Sequence, residues 1–161
     1  MEKQGKQWDA FVSHAVEDQE TFVRRLSTML TRLGLSIWYA ETALHVGNSL
    51  SASISRGLAC SRYGIVVISP HFIAKQWTNW ELAGLVNRQN SEEQHLILPI
   101  WHGVTKKEVM DFSPPLADLM ALNTATEQAD EIAFKLLRRI RPDIYGKHER
   151  AQLEKWQLAK R

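Results

Sequence analysis

The sequence predicts a doubly wound α/β domain: five parallel strands in one sheet, with helices on both faces. Three observations carry this. Short β-rich runs alternate with segments of helical period. Two of those runs, Ile65-Val66-Val67-Ile68 and Leu96-Ile97-Leu98, are continuously apolar, as a strand covered on both faces must be. The spacing from strand to strand is about 20 to 30 residues, the size of a β-α-β unit.

The strands are expected at Trp8 to Ser13, Leu35 to Tyr39, Tyr63 to Ser69, Leu96 to Trp101 and, most weakly patterned, Leu116 to Leu122. Phe22, Leu26, Met29/Leu30 and Leu33 form one helical stripe. Glu17 and Asp18 fall in its first turn, where the macrodipole favours acids, and Gly34 suits the left-handed residue that ends it. A second helix runs from Ser49 to Cys60 behind Asn48-Ser49, weakened by Gly57. A third spans Trp77 to Asn90, a short turn covers Lys106 to Asp111, and a final helix covers Thr126 to Arg141, stopped by Pro142. The domain therefore occupies 7–141, with 142–161 a basic tail, helical or flexible. Between Arg141 and Arg161 six basic side chains stand against three acidic ones, which carries the excess of a chain whose net charge is only +2.

Composition excludes several functions. A net charge of +2 gives no electrostatic case for nucleic acid as main partner. No apolar run reaches the ~20 residues that span a bilayer. Met1 to Lys6 lacks an apolar signal core, and Cys60 is alone, so a reducing cytoplasm is the expected location. No glycine-rich dinucleotide fingerprint follows the first strand, there is no P-loop and no Gly-x-Ser-x-Gly elbow, and the histidines lack ligand spacing, so no metal is expected.

In an open parallel sheet the ligand lies beyond the carboxyl ends of the strands. Those ends are Ser13-His14-Ala15, Tyr39-Ala40-Glu41 with the loop through Leu44 to Asn48, Ser69-Pro70-His71 and Trp101-His102-Gly103. The collection of hydroxyls, imidazoles and aromatics suits a nucleotide better than a metal. Trp77 and Glu81, four apart, share a face if both are helical. An indole offers a surface for a stacked base, and a carboxylate stabilises the cation of a breaking glycosidic bond. By spacing alone, an indole packed on the sheet and a glutamate capping its neighbour is the favoured account of the pair.

The order of motifs says more. Trp8-Asp9-Ala10-Phe11-Val12-Ser13-His14 with Glu17-Asp18, Gly34 to Tyr39 followed by Leu44 to Leu50, Ile65 to Pro70 followed by Trp77 to Leu82, and Leu98 to Trp101 resemble, in sequence order over about Gln7 to Arg141, the motifs of Toll/interleukin-1 receptor (TIR) domains. Bacterial members that cleave NAD+ are the nearest in appearance. The resemblance implies a flavodoxin-like sheet and an NAD+ glycohydrolase or cyclase. Such an enzyme releases nicotinamide with ADP-ribose or a cyclic isomer of it, in bacterial signalling, antiphage defence or host interaction. It implies Glu81 as the catalytic carboxylate, and Ser13, His14, Ala15, Tyr39, Leu44, Gly47 and Trp77 around the nucleotide. NAD+ is then substrate, no cofactor is needed, and self-association through TIR–TIR contacts completes the site. Two departures stand out: Ala40 follows the second-strand aromatic where many bacterial relatives carry Asp, and Ala15 stands where some members place a basic residue. The competing expectations are a non-catalytic TIR adaptor and an enzyme like the nucleoside 2-deoxyribosyltransferases.

Overall fold

The computed structural model describes residues 6–89 and 96–159. Strand β1 (Trp8–Ala15) is the hub. It pairs in parallel with β2 (Ile37–Trp38), β3 (Ala43–Leu44) and β4 (Ser61–Ile68). Beyond β4 follow β5 (Ile97–Trp101) and β6 (Leu122–Asn123), both parallel, giving the path β2-β1-β4-β5-β6 with β3 attached to β1. The chain winds one way from β1 to β2 and the other from β4 to β6, so the strand order reverses between β1 and β4.

A short sixth strand therefore joins the five-strand path, made where the segment after β2 comes back beside the end of β1 (Ala15 opposite Leu44). The weakest expected strand, Leu116 to Leu122, is corrected. Ser113 caps a short helix, α6 (Pro114–Ala117), whose prolines sit in the first turn, and only Leu122–Asn123 pair as β6. The double proline that stops one helix starts the next, since its fixed φ suits a first turn.

Helix α1 (Arg24–Leu33) is entered through a 3-10 turn (Val16–Asp18) and a π turn (Gln19–Val23), and Gly34 closes it at φ 113. Helix α2 (Leu50–Cys60) is capped by Ser49. A helix that the periodicity did not single out, α3 (Pro70–Ala74), follows β4 under a Ser69 cap. Helix α4 (Asn79–Gln89) starts later than expected: Gln76 adopts a left-handed φ of 56, and Trp77 lies ahead of the helix. Asn90, the expected last residue of that helix, lies outside the described residues. Helix α5 (Lys106–Phe112) has a capping box from Thr105 and Glu108. Helix α7 (Ala129–Ile140) begins after a turn at Asn123 to Glu127, where Asn123 O accepts from Glu127 N at 3.0 Å. The tail forms α8 (Pro142–Ala159), joined to the domain by His148 Nε2 at 3.1 Å from Leu33 O and by Ile144 against Gly34.

Each sheet face builds its own core. On one lie Phe11, Leu44, Leu50, Ile54, Val66, Phe72, Trp77 and Leu85, under α2 and α4. On the other lie Val12, Leu26, Leu30, Ile65, Ile132 and Leu136, under α1 and α7. Gly57 and Gly64 make room for one ring: a Cβ on either would stand 2.5–2.6 Å from Phe11. Gly57, a flaw by helix propensity, is the close-approach point of α2 on the sheet.

Candidate functional site

Glu81 lies in the first turn of α4 and reaches across to α2. Thr78 prepares it: the Thr78 hydroxyl accepts from Glu81 N at 3.1 Å and donates to Glu81 Oε1 at 3.2 Å. Glu81 Oε2 accepts from Leu50 N at 2.6 Å and from Ser51 N at 3.3 Å. Together with Ser49, whose hydroxyl takes Ala52 N at 3.1 Å, it satisfies the otherwise orphaned donors at the start of α2. The carboxylate is thus bonded to the two residues next after the loop cap Ser49, at the positive end of a helix. The space beside it, lined by Leu50, Ser51, Ile54, Gly84 and Leu85, is only about 10 Å³.

The loop is rooted firmly and exposed at its tip. Leu44 is 1% exposed in the core, and the Thr42 hydroxyl donates to Val12 O. At the tip, His45 and Asn48 close a turn: Asn48 N donates to His45 O at 3.1 Å and Asn48 Oδ1 accepts from His45 N at 2.7 Å. Gly47 supplies φ 89 with no atom within 4 Å of a built Cβ. Val46 beside it is 84% exposed. Gly47→Ala should therefore cost about 1 kcal/mol through backbone strain alone, with no clash to relieve. A urea midpoint equal to that of the parent would contradict the left-handed turn.

The other expected site residues divide. Ser13, His14 and Ala15 close β1 and are fully buried, as is nearly all of Trp77, which packs against Phe72 at 5.6 Å between ring centroids. Ser13 Oγ and Trp77 Nε1 have no hydrogen-bond partner among the described residues. Both belong to the Glu81 side: Ser13 pairs with Val66 of that core, and Trp77 is a member of it. Tyr39 does not join them. Its ring packs on the opposite core, and its neighbour Trp38 packs on the Glu81 side, as alternation along a strand requires.

Behind the ends of β1 and β4 lies a polar cluster that motif reading did not assemble. Asp18, 4% exposed, accepts a hydrogen bond from the Ser69 hydroxyl. His14 Nδ1 is 2.9 Å from Val12 O and its Nε2 3.3 Å from Gln19 Oε1. Burial pushes the His14 imidazole below its ordinary pKa, outweighing those hydrogen bonds and the Asp18 charge, and burial lowers His102 likewise. The unfolded chain takes up these protons as pH falls through about 6.5, while the folded chain does not until lower pH. Stability is expected to fall on acidification from about pH 7.5 to 5.5 and to level off below the lowered values. His14→Gln should flatten the urea-midpoint profile across that interval; an unaltered slope would exclude the buried imidazole as its source.

A cavity of about 330 Å³ lies elsewhere, on the α1–α7 side between Phe22, Arg25, His102 and the turn at Thr124 to Ala129. No group of three or more metal-ligating side chains occurs among the described residues. No helix among them is long and apolar enough to cross a membrane.

A family model described as TIR domain matches residues 10–138. The chain is 52% identical over 130 residues to the 2' cyclic ADP-D-ribose synthase AbTIR of Acinetobacter baumannii, covering 81% of this chain and 48% of that protein. It is 48% identical over 131 residues to the 2' cyclic ADP-D-ribose synthase BtTIR of Bacteroides thetaiotaomicron, with 81% and 45% covered. It is 48% identical over 129 residues to the NAD(+) hydrolase TcpC of Escherichia coli O6:H1, with 80% and 42% covered. The chain thus spans about half the length of the curated relatives it matches. Among solved structures, the metazoan TIR-STING receptor from C. gigas in complex with 2',3'-cGAMP is similar at a TM-score of 0.57 and 22% identity, over 78% of this chain and 38% of that one. The TIR domains of the activated Roq1 resistosome are similar at 0.54 and 17% identity, over 81% and 98%. At such identities these two likenesses speak for the fold.

Proposed function

The chain belongs to the TIR domain family, and from that premise we propose that it cleaves the bond between nicotinamide and ribose in NAD+, with Glu81 as the catalytic carboxylate. The observation that carries the reading is the position of that side chain. It stands between α4 and the start of α2, directly behind the loop, on the face of the sheet that also holds Ser13, Leu44 and Trp77. NAD+ is substrate here, and no resident cofactor is required.

The chemistry follows from a carboxylate beside an anomeric carbon. As the C–N bond breaks, its electron pair passes to the pyridinium ring and nicotinamide leaves neutral. Positive charge develops on the ribose, and a fixed carboxylate stabilises it. Water then gives ADP-ribose, or a hydroxyl of the ADP-ribose itself closes a cyclic isomer when the site excludes water. A cavity of about 10 Å³ holds no nucleoside, so the loop and the first turn of α2 must move to admit one. Glu81 then exchanges the Leu50 and Ser51 amides for ribose hydroxyls.

Self-association belongs to the same proposal, supported by Val46 at 84% exposure on the loop tip and Trp80 at 74% beside Glu81. A cytoplasmic site of action agrees with the substrate. The test is to incubate the protein with NAD+ over a range of concentrations and follow nicotinamide. Release whose specific rate rises with protein concentration is expected. No release under any condition, with intact self-association, would favour the adaptor. Release of free base from a deoxynucleoside would favour the transferase-like enzyme.

A further inference from the structure

Lys75 follows α3, at the carboxyl end of β4. Glu17 lies in the 3-10 turn after β1. The two meet where the strand order reverses, the place at which an open parallel sheet receives its ligand. The Lys75 ammonium is 3.1 Å from both Glu17 oxygens. The two sides of this pair are unequal: the Lys75 side chain is 3% exposed and that of Glu17 is 42% exposed. The lysine side chain is enclosed by protein, whereas the glutamate side chain has water on one side.

A nearly desolvated ammonium left without a countercharge is strongly destabilising. Whatever displaces Glu17 must therefore bring negative charge of its own. Lys75 also lies on the segment that leads to the candidate catalytic carboxylate: Gln76 in the left-handed region, Trp77 anchored in the core, then Thr78 and Glu81. Ala15, fully buried at the end of β1, supplies no cation. In NAD+ the pyrophosphate is separated from the reacting anomeric carbon by a single ribose.

We infer that Lys75 receives the pyrophosphate of the dinucleotide, and that Glu17 is a placeholder which the phosphate displaces. This rests on the NAD+-cleaving reading for the identity of the ligand. It makes the turn after β1 part of the site through Glu17, although Ser13, His14 and Ala15 are buried. A merely structural ion pair makes a different forecast, because then losing either partner only weakens the protein.

Calorimetric titration with ADP-ribose, and with adenosine as the ligand lacking phosphate, separates the two. Lys75→Gln should weaken ADP-ribose binding by about 10- to 100-fold, the loss of a charge-assisted hydrogen bond, and leave adenosine binding as it was. Glu17→Gln should tighten ADP-ribose binding by about 2- to 5-fold, because the phosphate no longer has to displace a partly exposed carboxylate from the ammonium. Lys75→Arg should retain most of the affinity. Weaker binding in Glu17→Gln, or undiminished binding in Lys75→Gln, overturns the assignment, and the Glu17→Gln titration decides the matter even if Lys75→Gln fails to fold. ADP-ribose binding needs no turnover. Should the parent protein cleave no NAD+, the catalytic reading fails while these titrations still judge Lys75; should it cleave NAD+ and the titrations fail, only Lys75 falls.

Discussion

Glu81→Gln is expected to lower the rate of nicotinamide release by about 10²- to 10³-fold, the usual cost of removing one preorganised electrostatic contact to a transition state. Glutamine keeps a carbonyl oxygen for the Leu50 amide, now bonded at 2.6 Å, so the fold should survive. Glu81→Ala removes both charge and cap. It should lose as much activity and in addition about 0.5–2 kcal/mol of stability, as helix caps do. The pair of variants separates chemistry from capping. Equal nicotinamide release by the parent and Glu81→Gln would leave Glu81 a structural cap and assign the catalytic role to another group. Equal urea midpoints in the parent and Glu81→Ala would mean that its bonds to α2 contribute nothing, and that the loop moves independently of the carboxylate.

The largest stability effect should come from Phe11. Its ring is fully buried, and the missing side chains of Gly57 and Gly64 define its space from both the helix and the sheet. Phe11→Ala should cost about 3–5 kcal/mol through lost burial and the cavity left behind. Gly64→Ala alone should also destabilise, by about 1–3 kcal/mol, because its methyl meets the ring at 2.6 Å and Ile97 at 3.1 Å. In the double variant the methyl enters the vacated space. The combined loss should therefore be smaller than the sum of the two, and chemical denaturation of all four proteins reads the coupling. Additive losses would show that the ring and the glycine do not share one space.

These two residues show what could be read from sequence and what could not. The strand that carries Phe11 was legible; the reason for Gly57 was not, because a helix propensity ignores what packs on the helix. Glu81 was legible as a functional candidate through motif order, while its bonds to Leu50 and Ser51 join residues about 30 apart in the chain. Trp77 was expected on the helical face of Glu81, but the left-handed turn at Gln76 delays the helix and sends the indole into the core. The Leu116 to Leu122 run looked like a strand because its apolar residues alternate loosely, and the Ser113 cap outweighed that pattern.

The sequence by itself determined the α/β class, the four principal strands with the main helices between them and the membership of the family, because these follow from hydrophobic period, cap residues and motif order, all local along the chain. Only the tertiary structure decided that Trp38 and Tyr39 pack on opposite sides of the sheet, that the acid of α4 is tied to the start of α2, and that Lys75 meets Glu17 where the strand order reverses. Those contacts join segments distant in sequence, and their distances are set by how helices settle on a twisted sheet, a property that no single segment carries.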